Sequence, residues 1–301
     1  MKESILITGA TGSLAKYLSY FLSRDFHLKF LTTKKNIVDN KKYFYWNIEK
    51  EFIDDQSIKN CKYIIHLAGY SILNRWTSKN KKLMYDSRVK STKLLYNLVE
   101  QNKVNVQAFI CASAIGIYEN STDIINEDSA LGNSWLSNLA KDWEDSANKF
   151  KVLHCRVVLM RISLIFSKKD GFLKYNLLSM KLGIGAILGK KNGIINWIHI
   201  EDVARFIKFC IENKKLIGPF NLTVPEKISQ YNFYLKMKKH IFFYALIFKI
   251  PNLFIRLLLG SRSEIFLSNF NLSSKKIESS GFRFKYFNSN KLIDNITSKK
   301  V

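Results

Sequence analysis

Short apolar runs alternate with amphipathic stretches over the first two-thirds of the chain. The runs at Ser4–Thr8, Leu28–Thr32, Tyr43–Trp46, Tyr63–Leu67, Gln107–Ala112 and Val157–Ile162 have the length of strands. Between them, helical spacing predicts helices over Ser13–Ser23, Ser78–Gln101 and Trp135–Phe150, and again over His199–Asn213. Strands alternating with helices imply βαβ units with right-handed crossovers, and therefore a parallel sheet. Tyr63-Ile64-Ile65-His66-Leu67 is apolar almost throughout, which fits a strand covered on both faces. The fold class is thus α/β, a doubly wound parallel sheet.

Near Gly218 the pattern changes. Gly218–Leu222 reads as a turn into one more strand, followed by helical stretches over Ser229–Phe243, Pro251–Leu259 and Ser273–Ser280. Residues 1–217 are expected to form the main domain, and 218–301 a small, mostly helical C-terminal domain capping the carboxyl ends of the strands. His240–Gly260 is the one segment that resembles a membrane span. Lys249, Pro251 and Arg256 interrupt it, whereas a span needs roughly 20 apolar residues with few charges. Two short amphipathic or buried helices broken at the proline are expected there, and no membrane association.

Composition narrows the picture further. With 301 residues and 47% apolar content, the chain can bury one large core or two unequal ones. The first strand begins at the N-terminus and leaves no room for a signal peptide. Cys61, Cys111, Cys155 and Cys210 form no C-x-x-C pair and read as buried thiols in a reducing compartment, so a cytoplasmic location is expected. No His/Cys cluster suggests a metal site. The net charge of +24 raises the prospect of polyanion binding. Its lysines are scattered through the whole chain, so a solvated basic surface is expected and no specific nucleic-acid site.

The most informative segment is Ile5-Leu6-Ile7-Thr8-Gly9-Ala10-Thr11-Gly12-Ser13-Leu14-Ala15. Strand, glycine turn and helix start follow one another as a dinucleotide-binding βα unit requires. Glycines let backbone N–H groups approach a pyrophosphate, and the helix N-terminus adds a partial positive charge. Gly9, Thr11, Gly12, Ser13 and Leu14 are the candidate pyrophosphate residues. At the end of the second strand, Leu31-Thr32-Thr33-Lys34-Lys35 lacks the acid that would hold a ribose 2′-hydroxyl. Thr33 and Lys34 suit a 2′-phosphate instead, which favours NADP over NAD; the lysines are otherwise plain surface charges.

Further landmarks follow in order: His66-Leu67-Ala68-Gly69, Arg75-Trp76-Thr77, Ser87-Arg88, Ser91-Thr92, Cys111 to Tyr118, Asp142-Trp143-Glu144, Arg161, Asn196 to Asp202, and Gly281-Phe282-Arg283-Phe284. Together they resemble the epimerase-like family of atypical extended short-chain dehydrogenase/reductases, over essentially the whole chain. The resemblance implies a Rossmann sheet binding NAD(P) at its switch point. It places Leu67, Ala68 and Gly69 beside the nicotinamide-side ribose, and by analogy of fold it implies a homodimer through the helices of Ser78–Gln101 and Trp135–Phe150.

The chemistry departs from the superfamily. Its usual Tyr-x-x-x-Lys pair, in which lysine lowers the tyrosine pKa, would fall on Leu136 and Ala140 when Glu144 is taken as the anchor. Neither residue can transfer a proton. Tyr234…Lys238 fits the spacing at the wrong point in the fold. Ser113 stands where the superfamily places a substrate-polarising hydroxyl, or else it only bonds backbone; Tyr118 is expected to pack. Arg75 can reach a phosphate or carboxylate bidentately, or pair with an acid such as Asp86. His199 reads as structural. The leading expectation is an NADP(H)-binding oxidoreductase of unknown small-molecule substrate, and the alternative is a non-catalytic NADP(H)-sensing protein.

Overall fold

The computed structural model describes residues 2–298. In chain order the elements are β1 (Ser4–Thr8), α1 (Ser13–Leu22), β2 (His27–Thr32), β3 (Tyr43–Asn47), β4 (Phe52–Ile53), β5 (Cys61–His66), α2 (Ser78–Tyr85), α3 (Ser91–Gln101), β6 (Ala108–Ala114), β7 (Ile124–Ile125), α4 (Trp135–Asn148), β8 (Arg156–Ile162) and β9 (Leu164–Phe166). There follow α5 (Gly171–Lys181), β10 (Ile184–Leu188), β11 (Trp197–His199), α6 (Ile200–Glu212), β12 (Gly218–Leu222), α7 (Gln230–His240), β13 (Leu246–Ile250), α8 (Asn252–Leu259), α9 (Glu264–Leu267), β14 (Asn271–Leu272), α10 (Lys275–Ser279) and α11 (Ser289–Thr297).

The main sheet runs β12-β8-β6-β5-β1-β2-β3-β4. β1 pairs in parallel with both β2 and β5, β2 with β3 and β5 with β6, while the edge strand β4 is antiparallel. Chain order reverses between β1 and β5, so a switch-point crevice opens at their carboxyl ends. α1 lies on the sheet through Ala15, Leu18 and Leu22, three and four residues apart on one face.

Two compact units interleave along the chain. One runs to Ile117 and adds Asn133–Arg161 and Ala204–Phe220; the other takes Tyr118–Gly132, Ile162–Val203 and Asn221 onward. The boundary expected at 217/218 falls at β12, and the second unit draws on three stretches rather than one. The first unit's core joins Leu6, Ile64, Phe109 and Leu159 to Leu95, Trp143 and Phe150, with Phe109 and Phe150 stacked at 3.9 Å. The second unit's core centres on Phe166, Trp197, Phe233 and Leu292, with Phe166 and Trp197 stacked at 5.1 Å.

Two expectations are corrected. The helix over Ser78–Gln101 is interrupted by a π-helical turn at Asp86–Lys90. Hydroxyls of Ser87, Ser91 and Thr92 donate to the carbonyls of Met84, Ser87 and Arg88, competing with the helical ladder at that point. The segment His240–Gly260 contains a strand, β13, ahead of α8, instead of two helices. β13 forms by pairing in register with the distant β10, which local periodicity cannot reveal.

Candidate functional site

The switch point is organised by Thr8 at the end of β1. Its Oγ1 accepts from the N–H groups of Leu67 (3.0 Å) and Ala68 (2.9 Å), so its own proton goes to His66 Nδ1 at 2.8 Å. On the other side of the ring, Ser91 Oγ donates to a carbonyl, at 2.7 Å for Ser87, and therefore accepts from His66 Nε2–H at 3.1 Å. The imidazole is thus neutral, with its proton on Nε2. Complete burial, with Arg88 nearby as the lesser cause, pulls its pKa down to about 3.

Against this corner lies the glycine turn. Gly9 has φ +74°, and a Cβ there would meet Leu67 O at 3.1 Å and Ala68 Cα and N at 3.2 Å. Gly12 N donates to Gly9 O at 2.9 Å and closes the turn. α2, α4, α7 and α11 are capped by side chains of Thr77, Ser134, Ser229 and Asn288. At α1 the capping position is Gly12, which offers no side chain, and its first turn carries no acid. The start of α1 is therefore left without an internal anionic or oxygen cap, while Thr11 and Gly12 are exposed. These residues fit a pyrophosphate.

Beyond β2, Thr33 and Lys34 are exposed, and Lys34 N donates to Thr32 Oγ1 at 3.1 Å. The next acid, Asp39, turns into its own loop. Its Oδ1 accepts from the backbone N–H of Lys41, Lys42 and Tyr43, and those bonds hold its carboxyl below the usual range. A 2′-phosphate would meet cations here rather than a carboxylate.

At Gly69 the π-helical turn delivers Arg88. Its Nη1 donates to the carbonyls of Tyr70 (3.0 Å) and Met84 (3.2 Å), and the guanidinium lies over the Trp143 ring at 5.2 Å. A Cβ on Gly69 would stand 3.1 Å from Nη2. Among the described residues no carboxylate pairs with Arg88, and burial pulls its pKa down to about 10, so it stays cationic at neutral pH. Its Nε and Nη2 donors remain uncommitted.

Ser113 is buried and donates to Glu144 Oε1 at 2.6 Å. Arg161 grips the same carboxylate through Nε (2.9 Å) and Nη2 (2.8 Å). The Ser113 proton is thus directed into a buried ion pair. On α4, Leu136 is half-buried and Ala140 buried, and neither carries an ionisable group.

Other candidates separate cleanly. Arg75 is exposed, and Asp86 pairs with Lys82 and Lys90 instead. Tyr118 donates to Asn221 Oδ1 at 2.6 Å and is buried. Tyr234 bonds Asn176 and its hydroxyl is pushed up by burial, so with Lys238 it forms no acid–base pair. His199 Nδ1 accepts from Glu201 N, and its ring meets Tyr286 at 3.8 Å, a structural role at the start of α6. Trp76 donates to Ile72 O and packs on Trp135 at 5.1 Å. All four thiols are buried. Among the described residues no His, Cys, Asp and Glu cluster could hold a metal, and no helix is long and apolar enough to cross a membrane.

Sequence reasoning assigned no role to His66 and Arg88. A usable signal existed for Arg88: with Met84, Ser91 and Leu95 it follows the i, i+4, i+7, i+11 face that should be apolar.

Comparison with known proteins agrees with this geometry. A model of the NAD dependent epimerase/dehydratase family matches residues 5–222. An epimerase family protein of Staphylococcus aureus is 32% identical over 99% of this chain and 100% of its own. Another, from Staphylococcus epidermidis, is 33% identical over 97% and 98%. Among solved structures, a human epimerase family protein with NADPH matches with a TM-score of 0.86 at 21% identity, covering 99% of this chain and 100% of that one. UDP-N-acetylglucosamine 4-epimerase from Bacillus cereus matches with a TM-score of 0.76 at 16% identity, covering 98% of each.

Proposed function

The chain belongs to the NAD dependent epimerase/dehydratase family, and on that premise we propose that it is an NADPH-binding oxidoreductase acting on a carbonyl or secondary alcohol of a small molecule. The observation that carries this reading is the Gly9 turn packed on Leu67 and Ala68 beside an α1 that has no cap of its own. Gly9, Thr11, Gly12, Ser13 and Leu14 would hold the pyrophosphate, and Leu67, Ala68 and Gly69 the nicotinamide-side ribose. Thr33 and Lys34 would meet the 2′-phosphate, with NAD the weaker ligand. Arg75, exposed and in no ion pair among the described residues, is available to a phosphate or carboxylate. The buried thiols favour a reducing compartment, the cytoplasm.

When bound, the nicotinamide supplies or accepts hydride. Arg88 directs its uncommitted donors at Gly69, where a cation would stabilise an oxyanion developing on the substrate oxygen. Ser113 donates its hydroxyl hydrogen bond to Glu144 and keeps its lone pairs, so it accepts from a substrate hydroxyl and orients it. With Leu136 and Ala140 in the dyad positions, the proton itself is exchanged with water.

The absent dyad also favours a second reading, an NADP(H)-sensing protein without turnover. Titration with NADPH and NADH, followed by NADPH oxidation over a panel of aldehydes and ketones, separates the two. Saturable NADPH-preferring binding, with turnover that Arg88→Met abolishes while binding persists, supports the oxidoreductase. Binding with no turnover over the panel favours the sensor. No binding by folded protein sinks both.

A further inference from the structure

We propose that the second unit carries a surface that docks on an anionic lipid bilayer. β10 and β13 form a two-stranded parallel ribbon in which Ile184 faces Leu246, Ala186 faces Phe248 and Leu188 faces Ile250. The opposite side is the inner one: a Cβ on Gly185 would touch Ile247 and Tyr234, and Ile187 is buried. The outward side should therefore be polar, as alternation requires of a ribbon with one face in water. Every outward position on both strands is apolar instead.

α8 continues the same departure. It buries Ile255 and turns Leu253, Phe254, Leu257 and Leu258 outward, with Leu257 73% and Leu258 76% exposed. Those positions, i, i+1, i+4 and i+5, form one stripe, so the apolar face of this amphipathic helix looks into solvent. Phe243, 78% exposed, precedes the ribbon. Such a concentration of large apolar side chains marks an interaction surface.

Charge selects the occupant. From Lys227 to Ser263 the chain has seven Lys or Arg and no Asp or Glu. Lys239 and Arg256 are exposed in the same stretch, Arg256 on α8 itself. A second copy laid on this face would bring like charges together at its rim. An anionic bilayer accepts both features, the side chains entering the interface and the cations meeting headgroups. The expectation of no membrane association rested on the lack of a span, which an interfacial mode does not need.

The test is co-sedimentation of the full chain at physiological salt with mixed phosphatidylserine–phosphatidylcholine vesicles and with pure phosphatidylcholine vesicles. Wild-type protein is expected to pellet with the anionic vesicles alone. The exposed double substitution Leu257→Ser, Leu258→Ser is expected to keep the wild-type Tm and weaken binding by about 10-fold or more. Arg256→Glu, on α8 beside the leucine pair, weakens it by about 5-fold or more. No pelleting with anionic vesicles, or pelleting undiminished by the leucine pair, overturns the proposal. So does a wild-type dimer on gel filtration that the leucine pair converts to monomer, which assigns the face to a second copy.

Discussion

Replacing His66 by Asn should make the protein less stable at neutral pH and also less sensitive to acid. The unfolded imidazole takes up its proton near its ordinary pKa of 6.5, whereas the buried one resists protonation down to about 3. Between those values the unfolded state binds the extra proton, so stability is full above pH 6.5 and falls as the pH drops toward 3. The whole window is worth about 5 kcal/mol at about 1.4 kcal/mol per pKa unit. From pH 7.5 to pH 5 the loss attributable to this one group is about 2 kcal/mol. His66→Asn removes the ring packed among Trp46, Phe109 and Trp143 and the bond to Ser91, a loss of about 3 kcal/mol at pH 7.5. The same substitution should cost only about 1 kcal/mol at pH 5, because the variant has no buried imidazole to keep neutral. Urea unfolding of both proteins at the two pH values, followed by tryptophan fluorescence, measures the difference. A gap between wild type and variant that stays constant from pH 7.5 to pH 5 would refute the assignment of a neutral, proton-resistant His66.

Gly12→Val should abolish NADPH binding while changing stability by less than about 1 kcal/mol, since its φ is ordinary and a Cβ meets only Gly9 O at 3.2 Å. Gly9→Ala, by contrast, should lower stability by about 1–3 kcal/mol in denaturant melts, because its φ is positive and three backbone atoms crowd the new methyl. Lys34→Glu should weaken NADPH by about 10-fold or more relative to NADH in paired titrations; equal effects on both would make Lys34 a plain surface charge. Arg161→Met should cost about 3–5 kcal/mol by leaving Glu144 buried without its cation, and adding Glu144→Gln should recover part of that loss.

The sequence was most transparent where the structure depends on neighbours along the chain. β1 coincides with the expected Ser4–Thr8, and α1 begins at the expected Ser13, because an apolar run, a glycine turn and an i, i+3, i+7 face are all local signals. The glycine turn itself was legible for the same reason. β10 and β13 were not, since each exists through the other across some sixty residues of chain. The π-helical turn was also hidden, although its cause, three hydroxyls bonding back to carbonyls, was written in Ser87, Ser91 and Thr92. Ser113 illustrates the remaining limit: its position at the end of β6 was readable, but the direction of its proton depends on Glu144, thirty-one residues away.

Arg88 and Arg161 show why partnership, rather than residue type, separates structure from chemistry. Both guanidinium groups leave water, and both would lose stability for it if left bare. Arg161 meets Glu144 with two parallel bonds, and that carboxylate in turn receives Ser113, so the charge is spent inside the fold. Arg88 meets only two neutral carbonyls and the face of Trp143, and it keeps a full positive charge with donors left over beside Gly69. The same distinction sets α1, which no side chain caps, apart from α2, α4, α7 and α11. An uncapped glycine-led helix start and an unpaired cation, both placed at the carboxyl ends of β1 and β5, suit an anionic ligand there.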